Sequence, residues 1–365
     1  MNKKLIALAV AGATFAPAVM AQSANPVTLY GRAWEMVNSV KAEGGATSVS
    51  RRTTVVNESS LIGIRGTEDV GGGLKAFFQL EMGFTPEENV TSVSALNPAP
   101  AATPLNINNS VVSGRNSGVG LQGGFGSIII GRWDSPFKLS AIFVDPYAQN
   151  TIGNQLAVIN TSDFNRREIN MIQYWSPTIN GFSLRTMYGA NEGKTATTNP
   201  NSVSASIDYA AGPFRINYAN EKHKDTRGAA VTAGVTEKGQ NLAATFVFGP
   251  FKVGALTQKI KSTDRTDKKA YQASLTYTAG MHEFMATVGR LKDGGLTTAG
   301  VIQPESKLST VGYNYNFSKR TTFMARYASL KNNVAANVVL NASGLPGIVV
   351  DADPKGLGVG LRHTF

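Results

Sequence analysis

The stretch Gly356-Leu357-Gly358-Val359-Gly360-Leu361-Arg362-His363-Thr364-Phe365 decides the fold. Its bulky apolar residues alternate first with glycine and then with polar side chains. That period of two makes it a strand, and it finishes on an aromatic at residue 365. A closed barrel has a use for such a strand, because the last strand must pair with the first to leave no edge.

The opposite end reads as an export signal. Lys3 and Lys4 supply the charged region, Leu5 to Val19 is almost wholly apolar, and Val19-Met20-Ala21 fits a cleavage site before Gln22. An uncleaved anchor is the alternative, but the apolar run is short for a span and small residues follow at the cut. The expected organisation is a cleaved signal peptide over 1–21 and one transmembrane β-barrel domain over 22–365. No later apolar segment reaches the roughly 20 residues of a spanning helix. Cysteine is absent, so packing or strand pairing must hold the exported chain.

Without Lys3 and Lys4 the 35 basic residues become 33, against 24 acidic ones. Export argues against nucleic acid as the partner of that excess. It suits an aqueous lumen or the phosphates of lipopolysaccharide. The 38 glycines show no collagen period and fit turns and crowded sheet walls.

The period of two persists along the chain. Leu242, Ala244, Phe246 and Phe248 share one face, and Asn241, Ala243, Thr245 and Val247 the other. Val311, Tyr313, Tyr315 and Phe317 stand opposite Thr310, Asn314 and Asn316. Sixteen strands are expected, over 27–39, 55–67, 74–84, 111–122, 126–134, 166–177, 181–190, 201–210, 213–223, 240–249, 251–261, 269–279, 281–291, 307–317, 320–331 and 356–365. An even number places both ends on one side. Short connections such as Ala211–Gly212, Gly249–Pro250 and Ala279–Gly280 alternate with long ones, near 40–54, 85–110, 135–165, 191–200, 224–239, 262–268, 292–306 and 332–355. Short turns on the periplasmic side and long loops outside is the pattern of an outer-membrane barrel. Strands interrupt the polar loops too regularly for interdomain linkers.

The connection 135–165 is unlike the others. It carries Phe137, Leu139, Ile142, Phe143, Val144, Tyr147, Ile152 and Leu156. A loop folded back into the lumen and packed on the wall uses such residues. An outer loop packed on its neighbours or on another subunit would use them too.

At Leu61-Ile62-Gly63-Ile64-Arg65-Gly66-Thr67-Glu68-Asp69-Val70-Gly71-Gly72-Gly73-Leu74-Lys75-Ala76 the chain resembles the general porins of beta-proteobacteria. The resemblance extends to Val27-Thr28-Leu29-Tyr30-Gly31, Val119-Gly120-Leu121, Gly124-Phe125-Gly126, Gly131-Arg132, Gln173-Tyr174-Trp175-Ser176-Pro177 and the terminal strand, in order and at matching spacing. It implies an outer-membrane, 16-stranded barrel assembled as a homotrimer, with the third loop folded inward to narrow a pore. It also implies passive diffusion of small anionic or neutral solutes, with anion preference in several members. Phe365 would belong to the signal read by the barrel-assembly machinery. In that family wall arginines form the constriction: Arg115 matches the one before the Val-Gly-Leu motif, and Arg167 the one opening the strand after the inward loop. A third, present in anion-selective members, is Leu61 here, which weakens strong anion preference. An acid usual in the first strand is Trp34 here, which acts in the opposite sense.

Alternation sorts the charges independently. Arg32 and Trp34 fall opposite Leu29 and Ala33. Arg65 falls opposite Ile62 and Ile64, Arg185 opposite Leu184, Arg215 opposite Ile216, Arg326 opposite Tyr327, and Arg362 opposite Leu361. A lipid-facing arginine at mid-bilayer costs about 2–4 kcal/mol, so these belong in the lumen or at a rim. The acids that sort inward are chiefly Glu221 and Glu283, so the lumen is expected to be basic. Asp134, Asp145 and Asp163, in or beside the third loop, are candidates to tie it to wall arginines as structure. Alternation puts Arg115 on the face of Val119 and Leu121, so it needs a bulge or a position above the membrane to reach the pore. One charge about 4 Å from an ion in water is worth about 1 kcal/mol, a bias and not a filter.

Catalytic and cofactor readings are poor. His223, His282 and His363 lack ligand spacing, and no phosphate-binding glycine loop or nucleophile elbow occurs. The alternatives to a general pore are a channel tuned to organic anions such as aromatic carboxylates or dicarboxylates, suggested by Trp34 and Leu61, and a structural or adhesin-like barrel. The sequence hint of assembly is the loop 85–110, which carries Glu87 and Glu88 and is long enough to latch onto a neighbour.

Overall fold

The computed structural model describes residues 27–86, 114–159, 164–190, 192–227, 230–264, 267–293, 304–345 and 347–365. The expected signal peptide, most of the loop 85–110 with Glu87 and Glu88, and Asp163 lie outside the described residues. Alternating sequence becomes an all-antiparallel sheet of β1 (Val27–Gly44), β2 (Val49–Asn57), β3 (Leu61–Gly71), β4 (Leu74–Gly83), β5 (Ser117–Gly123), β6 (Gly126–Asp134), β7 (Arg167–Trp175), β8 (Phe182–Gly189), β9 (Asn201–Ala211), β10 (Phe214–Arg227), β11 (Ala230–Phe248), β12 (Phe251–Ser262), β13 (Lys268–Ala279), β14 (His282–Asp293), β15 (Glu305–Asn316), β16 (Thr321–Asn332) and β17 (Ala352–Thr364). A short α-helix, α1 (Pro136–Ile142), and a single 3-10 turn, Gln155–Ala157, lie in the third long loop.

β1 pairs with β2 over Glu35–Ala42 and with β3 over Val27–Arg32. β2 and β3 are thus two halves of one wall strand, interrupted at 58–60, and the segments form a closed 16-stranded barrel. β17 closes it against β1, from Arg32 opposite Thr364 to Gly44 opposite Ala352. Phe365 completes the seam, its amide donating to the Gly31 carbonyl and the Gly31 amide donating to the Phe365 carbonyl, both at 3.0 Å.

Several expected boundaries need correction. β1 runs on to Gly44 and its partner begins at Val49, so the first long loop shrinks to a few residues. β10 and β11 likewise consume most of the expected loop 224–239. Polar sequence there reads as loop, yet the ladder continues past the apolar band: outward residues such as Lys222 and Lys224 are polar and exposed, while inward ones such as Val40, Ala42, His223 and Glu237 are buried. β5 starts only at Ser117, after a bend over Gly114–Asn116.

The outer face carries the apolar side chains, among them Leu29, Val119, Ile130, Ile172, Leu184, Ile207, Leu242, Val288, Val311 and Val359. Near the short turns Phe182 meets Tyr209, and a chain of ring contacts runs from Phe214 through Phe246, Phe248, Phe251, Tyr277 and Phe284 to Tyr313. Such a belt marks a membrane interface. Left-handed Gly212 and Gly249, φ 55° and 56°, make two of the tight turns beside it.

The third loop lies inside. Its apolar residues pack on the inner wall: Phe137 and Phe164 against Ala219 and Ile260, Phe143, Val144 and Ile159 against Ala243, Leu256 and Ala270, and Ile152 and Val158 against Val40, Leu308 and Leu330. Wall glycines make room for it. A Cβ at Gly239 would come within 2.7 Å of the Phe164 ring, at Gly289 within 2.7 Å of Val158, and at Gly312 within 2.7 Å of Tyr147.

Candidate functional site

Polar contacts fix the loop's course along the wall. Ser135 caps α1 by accepting from the Lys138 amide, and Pro136 opens the helix. The Phe137 amide donates to Ser204 Oγ on β9 (3.1 Å), and Asn241 on β11 donates to the Phe137 carbonyl (3.3 Å) and to Ser140 Oγ (3.0 Å). Lys252 on β12 donates to the Phe143 carbonyl, Ser274 on β13 to the Val144 carbonyl, and Thr310 on β15 to the Gly153 carbonyl, at 2.9, 2.7 and 2.7 Å. The far end reaches the interruption between β2 and β3, where the Thr151 amide donates to Glu58 Oε2 at 2.6 Å and Ser59 Oγ donates to Asn150 Oδ1 at 2.7 Å. The loop therefore covers the inner wall from β8 round through β17 to the Val40 end of β1, and leaves β3–β7 and the ends of β1 and β17 that carry Arg32 and Arg362 uncovered.

Within the loop, Asp145 Oδ1 accepts from the Tyr147 amide and Oδ2 from the amides of Gln149 and Gln155, at 3.1, 2.9 and 3.3 Å. Burial raises its pKa to about 6 against the pull of those three donors.

The arginines expected to face inward do so, but in three different states. The first group is paired with acids. Arg167 Nε lies 3.3 Å from Asp134 Oδ1 and donates to Asn116 Oδ1 at 3.0 Å. Asp134 also holds Lys138 Nζ at 2.7 Å, so it ties the start of α1 to the wall, as a structural acid beside the loop would. Arg215 pairs with Asp208 at 3.0 Å and stacks over Phe143 of the loop at 4.2 Å. Arg115 Nε stands 3.9 Å from Glu81 Oε2. Its alternation conflict disappears because it precedes β5: the residue sits in the bend, with its amide donating to the Glu81 carbonyl at 3.1 Å.

The second group lies over aromatic rings. The Arg32 and Arg362 guanidiniums sit 5.5 and 5.2 Å from the Trp34 ring, Arg65 4.8 Å from Tyr30, and Arg185 5.2 Å from Trp175. Among the described residues none of these four has a carboxylate within ion-pair distance. Arg32 Nε donates to the Ser59 carbonyl at 2.9 Å, and Arg362 reaches Thr322 Oγ1 at 3.5 Å.

The third state corrects an expectation. Arg326 faces inward but is only 2% exposed. It donates to the carbonyls of Tyr313 and Ala325 and to Asn314 Oδ1, and lies over Tyr147 of the loop at 5.2 Å. The folded-in loop covers it, so it is a strut and not open lining. Trp34 and Leu61 are likewise inward but buried, at 2% and 7%. Trp34 packs under its arginines and against Met36 and Met324, so its face is not open to a stacking solute.

Glu221 and Glu283 do face inward, Glu221 fully buried beside His223 and Glu283 accepting from Asn314 at 2.8 Å. Glu81 and Asp208 were missed. Both were legible: Gln79 and Glu81 alternate with Phe78 and Leu80, and Asp208 with Ile207 and Tyr209. Glu81 accepts from the Tyr30 hydroxyl at 2.9 Å. The uncovered wall is thus basic, with Glu81 placed among Arg32, Arg115 and Tyr30, near enough to act on all three.

Known proteins share this architecture. Over its full length the chain is 30% identical to outer membrane porin protein 32 of Delftia acidovorans, and 27% identical to major outer membrane protein P.IB of Neisseria meningitidis serogroup B, each covered completely. Among solved structures it is similar to the anion-selective porin from Comamonas acidovorans, with TM-score 0.76 and 25% identity over 93% of this chain and 99% of that one. OmpT of Vibrio cholerae in its trimer form is similar in fold, with TM-score 0.64 and 15% identity over 93% and 99%. Residues 7–335 match the Gram-negative porin family. That family is not one of enzymes, and this chain, an outer-membrane β-barrel with an inward third loop, belongs to it.

Proposed function

We propose that this porin conducts small hydrophilic anionic and neutral solutes by passive diffusion, with a moderate preference for anions. The observation that carries the reading is the set Arg32, Arg65, Arg185 and Arg362, which face the lumen with no carboxylate in ion-pair contact among the described residues. The similar porin from Comamonas acidovorans is anion-selective, which agrees with it. Arg115 and Arg167, partly offset by Glu81 and Asp134, add less net charge to the path. Leu61 contributes shape but no charge. The test is reversal potential across a planar bilayer in a potassium chloride gradient: chloride is expected to permeate several-fold faster than potassium at low salt, and less so at high salt where charge is screened. Preferred potassium conduction overturns the reading.

The assembly is a homotrimer in this reading. An apolar hollow on the outer face, lined by Val27, Phe78, Val119, Leu121, Ile128 and Ile130, supports it, as does the solved trimer form of the similarly folded OmpT. Mass in mild detergent should equal about three mature chains. Residues 1–21 act as the cleaved export signal, Phe365 is read by the barrel-assembly machinery, and lipid and lipopolysaccharide surround the barrel. No cofactor and no nucleic acid enter the mechanism.

A further inference from the structure

Arg32, Arg65, Arg185 and Arg362, which have no acid partner among the described residues, share a support: an aromatic ring beneath the guanidinium. We infer that Trp34 is a positioning residue for selectivity, which holds Arg32 and Arg362 side by side at the pore wall without neutralising either. This rests on the anion-preferring reading above. Trp34 and Arg362 are direct cross-strand partners on β1 and β17, and Arg32 lies two residues back on the same face of β1. One indole thus draws together two like charges from two strands across the seam of the barrel. The residue is itself held in place, by its backbone and by packing. Its amide donates to Ser60 Oγ at 2.8 Å, its carbonyl accepts from the Glu58 amide at 2.8 Å, and Met36 and Met324 pack against the indole.

The chemistry of the support decides how much charge the pore displays. A carboxylate below two arginines fixes their position and cancels one of their charges. A π face attracts guanidinium through its quadrupole and leaves the full charge for a passing ion. Acids are near: Glu81 acts on Arg32, and Glu283 on Arg362, at longer range. Without the indole, Arg32 keeps only its Nε bond to the Ser59 carbonyl and Arg362 its long contact to Thr322, and the guanidiniums can turn toward these carboxylates and hide part of their charge. The same device recurs at Arg65 over Tyr30 and Arg185 over Trp175, but Trp34 alone, among the described residues, serves two arginines.

The experiment compares chloride-to-potassium permeability ratios at low salt for the wild type, Trp34→Phe, Trp34→Leu, Trp34→Asp, Arg32→Ala and the double variant Trp34→Leu/Arg32→Ala. Heat-modifiable migration in gels checks that each barrel is folded. Trp34→Phe keeps a π face and should stay near wild type. Trp34→Leu keeps bulk without the face and should lower the ratio about two-fold, and Trp34→Asp further. Because Trp34 acts through Arg32, Arg32→Ala should cost less selectivity in the Trp34→Leu background than alone. An anion-preferring wild type whose ratio is unchanged in Trp34→Leu, or equal effects of Arg32→Ala in both backgrounds, overturns this inference alone. A wild type without anion preference overturns the functional reading and this inference with it. If Trp34→Leu does not fold, Trp34→Phe against the neutral Trp34→Met, which has bulk and no π face, decides: equal ratios overturn the inference, and a lower ratio in Trp34→Met supports it.

Discussion

Arg32 on β1 and Leu61 on β3 are direct cross-strand partners. Side chains so paired start only about 5 Å apart, so the two compete for one patch of wall. The position where anion-selective relatives are expected to carry an arginine is apolar here, and the guanidinium comes from the neighbouring strand. The exchange Arg32→Leu with Leu61→Arg should therefore recover much of the anion preference that Arg32→Ala loses. Reversal potentials of the two variants check it, and a double exchange no better than Arg32→Ala would mean that Arg32 needs its place over Trp34.

Glu81 is the acid nearest the uncovered arginines. Glu81→Gln keeps an acceptor for the Tyr30 hydroxyl and removes one negative charge. The chloride-to-potassium ratio should rise about two-fold at low salt and little at high salt. Arg167→Ala should lower the ratio less than Arg32→Ala does, because Asp134 already offsets Arg167. Selectivity measured at two salt concentrations tests both.

Gly239 lies under the Phe137 and Phe164 rings of the inward loop. Gly239→Val should push the loop off the wall at a cost of about 1–3 kcal/mol to its docking, while the strand itself tolerates valine. Single-channel traces should become noisier and mean conductance should change, with heat-modifiable barrel migration retained. Quiet, wild-type conductance would show that the loop accommodates the extra methyls.

Asp145 organises the loop by accepting three amides, and its pKa is raised by burial to about 6. A carboxyl that binds its proton more tightly when docked stabilises docking fully below the ordinary carboxylate value near 4. That contribution falls by about 1.4 kcal/mol per pH unit as pH rises, and is gone above 6. Asp145→Asn cannot titrate and loses the acceptor shared by Gln149 and Gln155. Its loop should be looser throughout, and the difference from wild type in proteolysis of the loop should vary between pH 4 and pH 7. A difference independent of pH would assign the titration elsewhere.

Phe365 and Gly31 close the barrel through two backbone bonds, each worth about 0.5–1.5 kcal/mol net, and a Cβ at Gly31 would meet the Phe365 ring at 2.5 Å. Deleting Phe365 or introducing Gly31→Val should each reduce the folded barrel recovered from outer membranes. Refolding in detergent separates a seam defect, which lowers thermal stability in both variants, from loss of an assembly signal, which affects the deletion in cells only.

The barrel was legible from alternation repeated along the chain behind an export signal, with no helical span and with short and long connections in turn. A period of two sets which side chain faces lipid and which faces the lumen, so Arg32, Arg65, Arg185, Arg215, Arg326 and Arg362 were sorted inward from their neighbours. Lipid makes the wrong answer expensive, which is why that signal is strong. Strand ends were poorly legible, because β1, β10 and β11 extend beyond the apolar band, where the outer face is polar and buried inward positions such as His223 and Glu237 are polar too, so hydrophobicity no longer alternates. What each inward charge does emerges only once the chain is folded. The same alternation describes Arg326, sealed beneath Tyr147, and Arg362, lying over Trp34 on the uncovered wall. The difference comes from where a loop distant in sequence lands and which ring or carboxylate stands across the strand. These contacts are non-local, and a local period carries no information about them.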